Sequence, residues 1–127
     1  DKTESQNNDG ATFTTWNPPM TIRVFGAHNA LDQSLQQAAD FDKENLIKEG
    51  VENFKVIVEG PITMDNETAL ESVWQYIAPP TGDAATSAHA YTIKNNIIYE
   101  IEFLIDTNQW NSYSTMFDDV FTSFKFL

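Results

Sequence analysis

The segment from Tyr91 to Phe103, YTIKNNIIYEIEF, constrains the fold more than any other stretch of the chain. Two runs of β-branched and aromatic residues flank Asn95-Asn96, and asparagine tolerates the positive φ angles that a two-residue hairpin turn requires. In the outgoing run, apolar residues alternate with Glu100 and Glu102, which is typical of a strand with one face on a core and one nearer water. The pattern predicts an antiparallel hairpin whose incoming strand spans residues 89–94 and whose outgoing strand presents to the core Ile97, Tyr99, Ile101, Phe103 and Ile105.

Apolar residues at helical spacing predict two helices. The first is expected over residues 31–48, with Asn29 as its N-cap and Gly50 at the position just after its C-terminus. The second is expected near the end of the chain, where apolar residues recur at i, i+3, i+6, i+7, i+10 and i+11. These residues are Trp110, Tyr113, Met116, Phe117, Val120 and Phe121.

Further runs rich in β-branched and aromatic residues predict strands at residues 12–16, 20–25, 53–59 and 69–77. Asn17-Pro18-Pro19 is expected to turn the chain between the first two, since proline donates no ladder hydrogen bond. Gly60-Pro61 is expected to interrupt the third as a bulge or bend, and Asp65-Asn66 to turn the chain before the fourth. The stretch 81–88, TGDAATSA, is small and polar and is predicted to be mobile.

The order of these elements predicts the fold class. Two strands and a helix come first, followed by about four strands and a final helix. Strands grouped together in this way favour an α+β fold with an antiparallel sheet. The two helices must then cover the sheet faces, because the apolar face of the hairpin would otherwise be bare.

Length and composition fit one globular domain. The chain has 127 residues, of which 41% are hydrophobic, and this is enough for one core. We expect this domain to span residues 11–127. The first ten residues, DKTESQNNDG, are polar and are predicted to form a flexible N-terminal segment.

The charge of the chain limits its partners. Nineteen acidic residues against seven basic ones give a formal net charge of −12. Such a charge repels the phosphates of nucleic acids and anionic membrane surfaces, so no nucleic-acid partner is expected. A cationic partner or a divalent ion is easier to accommodate.

The chain contains no cysteine, which excludes disulfides, thiolate chemistry and cysteine-bound zinc. No apolar run approaches the ~20 residues that a membrane-spanning helix needs, so we expect no insertion of this domain into a membrane. The sequence opens at Asp1 without a methionine. We expect a mature or trimmed chain, tethered as a lipoprotein through a cysteine upstream.

The candidate metal ligands are His28, His89, Asp106, Asp118 and Asp119. His28 lies in the loop before the first helix and is expected to be exposed, because a single histidine without a partner makes a poor metal site. The two histidines would share a site only if the fold brought them together. The aspartates lack the spacing of an EF-hand loop. They and the acidic residues within 40–44 are therefore expected on solvated faces, and no metal site is assigned.

Aromatic residues offer one candidate for binding a ligand. Of Trp16, Trp74, Tyr76 and Trp110, three are expected in the interior, because aromatic residues at strand or helix spacing are usually core. Trp16 precedes the Pro-Pro turn and is expected to be exposed. The sequence has no Gly-x-Ser-x-Gly, Ser-x-x-Lys or glycine-rich phosphate-binding motif, so no catalytic residue and no cofactor is assigned.

In order and spacing, several segments together resemble the PsbP-like family, named for the extrinsic photosystem II protein. The segments are MTIRVFG with LDQSLQQAA, then NFKVIVEGPITMDNETALE, AYTIKNNIIYEIEF, WNSYSTMFDDVFTSF and the terminal SFKF, which together cover roughly residues 20–127. The resemblance implies an α/β/α sandwich around a twisted, mainly antiparallel sheet of about six strands with two main helices. It also implies a non-enzymatic binding or assembly role, since this family has no shared catalytic residues.

We therefore expect a non-enzymatic, extracytoplasmic binding or interaction module, with an unknown protein or small ligand as its partner. Two alternatives stay open. One is a small α+β ligand carrier or enzyme, with a pocket between the long helix and the sheet. The other is a divalent-cation-binding protein.

Overall fold

The structure is a computed structural model that describes residues 2–4 and 10–126. These residues contain seven β-strands and two α-helices. In chain order they are β1 (Lys2–Glu4), β2 (Gly10–Trp16), β3 (Pro19–His28), α1 (Leu35–Lys48), β4 (Glu52–Met64), β5 (Glu67–Ala78), β6 (Asp83–Lys94), β7 (Ile97–Asp106) and α2 (Thr107–Ser123).

The strands form one antiparallel sheet in the order β1-β2-β3-β7-β6-β5-β4. Strands β4 to β7 form a meander, and β3 joins it beside β7, where Ile22 pairs with Phe103. Helix α1 packs on β5 and β6 on one face, and α2 packs mainly on β6 and β7 on the other. The predicted α+β sandwich is therefore confirmed. Apart from the three-residue β1, the sheet has the six strands that were expected.

Two asparagine-containing turns set the register of the meander. Asn95 and Asn96 have φ angles of 53° and 62°, and Asp65 and Asn66 have φ angles of 47° and 66°. Both central residues of a two-residue hairpin turn of this kind need positive φ, which asparagine and aspartate adopt more easily than most residues. Both turns are confirmed where the sequence predicted them.

Helix α2 covers one face of the sheet and completes the main core. Phe117 and Phe121 are buried there, and the ring centroids of Phe103 and Phe117 lie 5.3 Å apart. Trp110 packs against the same cluster at its edge. The apolar stripe of the second helix and the apolar face of the hairpin thus meet, as predicted. Neither helix of the described residues is long and apolar enough to cross a membrane.

Helix α1 begins four residues later than the pattern predicted. Ser34 is its N-cap, and a reciprocal capping box joins Ser34 and Gln37. Asn29, the predicted cap, instead stabilises the preceding loop, where its Oδ1 accepts a hydrogen bond from the backbone N–H of Gln33 at 2.8 Å. The helix ends at Lys48 with Glu49 as its C-cap, and Gly50 follows with φ +91°, as expected.

Strand β6 is longer than the sequence predicted. The stretch 81–88 was expected to be mobile, but β6 already begins at Asp83. Its small residues pair on both sides, so that Ala88 lies between Val73 of β5 and Phe103 of β7. A composition that is typical of loops is accommodated here because the strand is central and its neighbours supply the large side chains.

The prediction of an interruption at Gly60-Pro61 is wrong. Both residues stay in register, opposite Glu71 and Leu70 of β5. Proline fits because β4 is the last strand in the sheet order, so its outer edge makes no ladder hydrogen bonds to a further described strand. The register shifts lie earlier, between residues 52 and 58.

The segment 1–10, expected to be flexible, is described only in part. Residues 1 and 5–9 lie outside the described residues. Residues 2–4 form β1, which pairs with residues 11–13 of β2, and Gly10 begins β2. The domain boundary at residue 11 stays a prediction.

Candidate functional site

A cleft of about 450 Å³ lies between α1 and the sheet, and we call it the α1 cleft. One wall is a stripe of α1 spaced i, i+3, i+4 and i+7, formed by Asp42, Asn45, Leu46 and Glu49. The floor comes from β3, β5, β6 and β7. Helix α1 packs mainly on β5 and β6, and the cleft lies beside it, where side chains of β3 and β7 also line the sheet face.

Strand alternation decides which side chains reach the α1 cleft. On β7, Ile101 and Phe103 point into the main core, so Glu100 and Glu102 point to the α1 face. On β6, Ala88 and Ala90 likewise face the core, and His89 lies on the α1 face, opposite Glu102 in register. The same alternation that builds the apolar core therefore places a row of polar residues on the other face.

His89 is a buried polar residue of the floor. Its Nδ1 lies 3.0 Å from Glu100 Oε1, and its Nε2 lies 3.0 Å from Ser87 Oγ. The ring stacks on Trp74, with centroids 3.9 Å apart. Burial lowers the pKa of His89 to about 4, although Glu102 and Asp42 act in the opposite direction. The imidazole is therefore neutral at neutral pH, and both nitrogens have a partner when Nδ1–H donates to Glu100 and Nε2 accepts from Ser87.

Glu100 is a buried carboxylic acid. Burial raises its pKa to about 9, and the nearby charges of Asp42 and Glu102 add to the effect. Its carboxyl group is hydrogen-bonded to that of Asp42, which also accepts a hydrogen bond from the Tyr91 hydroxyl at 2.8 Å. Two carboxyl groups joined in this way need a proton between them, and burial favours the neutral Glu100–His89 pair over an ion pair.

We call Asp42, Ser87, His89, Tyr91 and Glu100 the His89 cluster. No buried side-chain nitrogen or oxygen in the described part of the chain lacks a hydrogen-bond partner. The cluster is therefore fully satisfied, which is the condition under which buried polar networks stiffen a structure. It joins α1 to β6 and β7 across the inner end of the α1 cleft.

A second series of hydrogen bonds and an ion pair connects α1 to β4 and β5. The indole N–H of Trp74 donates to Ser72 Oγ at 2.6 Å, and Ser72 Oγ donates to Glu59 Oε2 at 2.6 Å. The Glu59 carboxylate pairs with the ammonium group of Lys43 on α1. The helix wall of the α1 cleft is thus held on two sides, so the cleft is preformed.

Three members of the His89 cluster could hold a metal ion. One ligand atom each from Asp42, His89 and Glu100 lie within 4.8 Å of one another. Two carboxylate oxygens and an imidazole suit a divalent ion, but Glu100 would first have to lose its proton. Of the five candidate metal ligands named from the sequence, only His89 belongs to this group.

The other predicted site residues lie away from the α1 cleft. His28 is exposed and pairs with Ile97 of β7, while His89 pairs with Glu102. Five residues along β7 separate these pairing positions, which is roughly 16 Å. The two histidines therefore do not share a site. Asp106 precedes α2, and Asp118-Asp119 lie on it, and all three are exposed.

Sequence reasoning missed most of the His89 cluster. Asp42 was expected on a solvated face, but it faces the sheet and bonds to Tyr91. Glu100 was expected nearer water and is only 6% exposed. The spacing Ser87-x-His89-x-Tyr91 on one strand face was the available signal. It was lost because β6 was predicted to begin at residue 89.

Trp16 is exposed as expected, with 74% of its surface accessible. It lines a second hollow of about 380 Å³. This hollow shares Tyr76 and Leu104 with the α1 cleft, so the two are neighbours on the sheet face. Trp74 and Tyr76 are buried and Trp110 is partly buried, which agrees with the expectation that three of these four aromatic residues lie inside.

Fold and cleft together define a class of protein: an α+β sandwich whose sheet carries an apolar core on one face and a polar cleft on the other. Comparison of the sequence with family models and with curated proteins finds no match. Comparison of the structure with solved structures finds proteins that share this fold.

PA94 from Pseudomonas aeruginosa has a TM-score of 0.70 and 9% identity, over 86% of this chain and 74% of PA94. CyanoP, the cyanobacterial PsbP of Synechocystis, has a TM-score of 0.68 and 11% identity, over 94% of this chain and 77% of CyanoP. LpqN of Mycobacterium tuberculosis, which is involved in cell envelope biogenesis, has a TM-score of 0.60 and 13% identity, over 86% of this chain and 65% of LpqN.

The chain therefore has a PsbP-like fold, which confirms the resemblance that the sequence suggested. At these identities the likeness concerns the fold alone. What the α1 cleft binds has to be argued from the residues of this chain.

Proposed function

We propose that this protein is a non-enzymatic binding module whose ligand occupies the α1 cleft. The observation that carries the proposal is a preformed cleft of about 450 Å³ on which buried, hydrogen-bonded polar groups converge. Binding sites for small ligands are typically concave, have this size and combine apolar walls with a few polar groups. Leu46, Leu104 and Phe25 supply apolar surface, and the His89 cluster supplies the polar groups.

The polar groups of the cleft argue for binding rather than catalysis. Ser87, His89 and Glu100 are hydrogen-bonded in the order of a nucleophile, base and acid. However, burial lowers the pKa of His89 to about 4, so the imidazole is a poor base at neutral pH. The Ser87 side chain is also only 3% exposed, which leaves little room for a substrate carbonyl at its oxygen.

A serine variant tests this part of the proposal. Ser87→Ala is expected to hydrolyse p-nitrophenyl acetate at the same rate as the unaltered protein, because the serine does not act as a nucleophile. Ser112→Ala, at an exposed position of α2, is the matched control. A rate that falls at least about tenfold in Ser87→Ala but not in Ser112→Ala would show a catalytic serine and refute the non-enzymatic assignment.

Filling the cleft tests the binding site itself. Leu46→Trp is expected to abolish ligand binding by placing an indole in the α1 cleft, whereas Ile47→Trp, one residue on and exposed, should not. Both proteins are titrated with small alcohols, amines, carboxylic acids and sugars, and amide chemical shifts are followed. Shifts should cluster on the cleft lining in the Ile47→Trp protein. If they persist in Leu46→Trp, or cluster elsewhere, the ligand site is not the α1 cleft.

We also propose that the protein acts outside the cytoplasm. Support comes from LpqN, which shares the fold and is involved in cell envelope biogenesis. Recovery of the native protein in the cytosolic fraction of its source cells would contradict this location.

A further inference from the structure

The charges that line the α1 cleft are unbalanced. Carboxylates from Asp42, Glu49 and Glu102 face it, and Arg23 is the one lysine or arginine among the described lining residues. Arg23 Nη1 lies 3.6 Å from Glu102 Oε2, so these two charges balance each other. Asp42 and Glu49 remain without a cation in the lining.

The two unbalanced carboxylates share one face of α1. They are seven residues apart, which places them in line and about 10 Å apart along the helix axis. Leu46 lies between them and lines the same cleft. The helix wall thus presents an apolar side chain with a carboxylate on either side.

The sheet opposite this wall accepts both apolar and cationic groups. Phe25 lies under the guanidinium group of Arg23, whose central carbon is 4.9 Å from the ring centroid, so a cation–π contact already forms in the cleft. Tyr76 adds a second aromatic side chain to the floor. Burial raises the pKa of Tyr76, a hydrogen bond with Ser87 acts in the opposite direction, and the charges of Glu102 and Glu49 raise it further.

We propose that the ligand of the α1 cleft is a small organic cation, an ammonium or guanidinium group on an aliphatic stem. The cationic group pairs with Glu49 or Asp42, and the stem lies along Leu46 and the aromatic floor. This inference rests on the proposed function and narrows it from a ligand site to a ligand of one charge class. The excess of carboxylates in the lining disfavours anionic ligands for the same reason.

The test is a ligand series in which only the head group changes. Pentylamine, 1-pentanol and pentanoate have stems of similar length, so differences in affinity report on the charge. We expect pentylamine to bind at least about tenfold more tightly than 1-pentanol, and pentanoate more weakly than either. Binding is measured by calorimetry at low salt, and the preference for the amine should shrink as ionic strength rises.

Charge-removing variants locate the site. Glu49→Gln keeps the size of the side chain and should weaken pentylamine about fivefold or more while leaving 1-pentanol unchanged. Glu44→Gln is the matched control, since it makes the same change at an exposed position of α1 outside the cleft lining and should change neither affinity.

The outcomes separate this inference from the proposed function. If 1-pentanol binds as tightly as pentylamine and Leu46→Trp blocks both, the cleft is a ligand site but the charge preference is refuted. If pentylamine still binds to Leu46→Trp, it binds the acidic surface elsewhere and the inference is wrong. If no member of the series binds, the inference is likewise overturned. The cleft-filling experiment with the wider ligand set then decides the proposed function.

Discussion

Phe103→Ala is expected to lower the free energy of unfolding by about 3–5 kcal/mol. Phe103 is fully buried, and its ring lies 5.3 Å from that of Phe117 and 6.5 Å from that of Trp110. Replacing it removes a large apolar side chain at the point where the sheet meets α2. The cavity that remains cannot collapse easily, because Phe103 lies between two paired strands. Urea unfolding followed by circular dichroism measures the loss.

The control for this experiment makes the same change on the surface. Phe41 lies on α1 and is 47% exposed, so Phe41→Ala should cost less than about 1 kcal/mol. If Phe103→Ala costs no more than Phe41→Ala, then β7 does not present Phe103 to the core. The orientation of the hairpin, and with it the assignment of Glu100 to the α1 cleft, would then be wrong.

The apolar core between the sheet and α2 could be predicted from the sequence, because the residue patterns that identify it are local. Alternation along β7 and the spacing of α2 each identify a face, and burying one against the other is the only economical way to cover both. Asn95-Asn96 fixes the hairpin register, since few other residue pairs adopt two positive φ angles in succession. These features needed no information beyond a window of a dozen residues.

The polar side chains between the sheet and α1 could not be predicted, because their placement depends on contacts between distant parts of the chain. The alternation along β7 predicts that Glu100 faces solvent. It is buried because it contacts His89 and also Asp42, which lies 58 positions earlier in the chain. A period-2 pattern distinguishes the two faces of a strand but cannot show that the second face is covered as well. The start of β6 was missed for a related reason, since small residues carry no periodic signal until large neighbours surround them.

The free energy of unfolding is expected to fall as the pH rises from 6.5 to 9. The direction of this change follows from the pKa shifts of Glu100 and His89, which are opposite. The pKa of Glu100 is about 9 in the fold against an ordinary value of 4.5, so the folded state holds a proton that the unfolded state loses above pH 4.5. The pKa of His89 is about 4 against 6.5, so below pH 6.5 the unfolded state holds a proton that the folded state lacks. Between pH 4.5 and 6.5 these differences cancel. Above pH 6.5 only the difference at Glu100 remains. The folded state then holds one proton more than the unfolded state, so the free energy of unfolding falls as the pH rises to 9.

Replacing the carboxylic acid by an amide isolates this effect. Glu100→Gln cannot ionise but keeps the shape and a hydrogen-bond donor, so it should remove most of a pH-dependent loss of up to roughly 3 kcal/mol between pH 6.5 and 9. The variant should be close to the unaltered protein in stability near pH 4.5, already more stable at pH 6.5, and more stable still at pH 9. Urea unfolding at four pH values measures both slopes, and Glu44→Gln, exposed on α1, should keep the original slope. Equal slopes for Glu100→Gln and the unaltered protein would mean that Glu100 is already ionised at neutral pH.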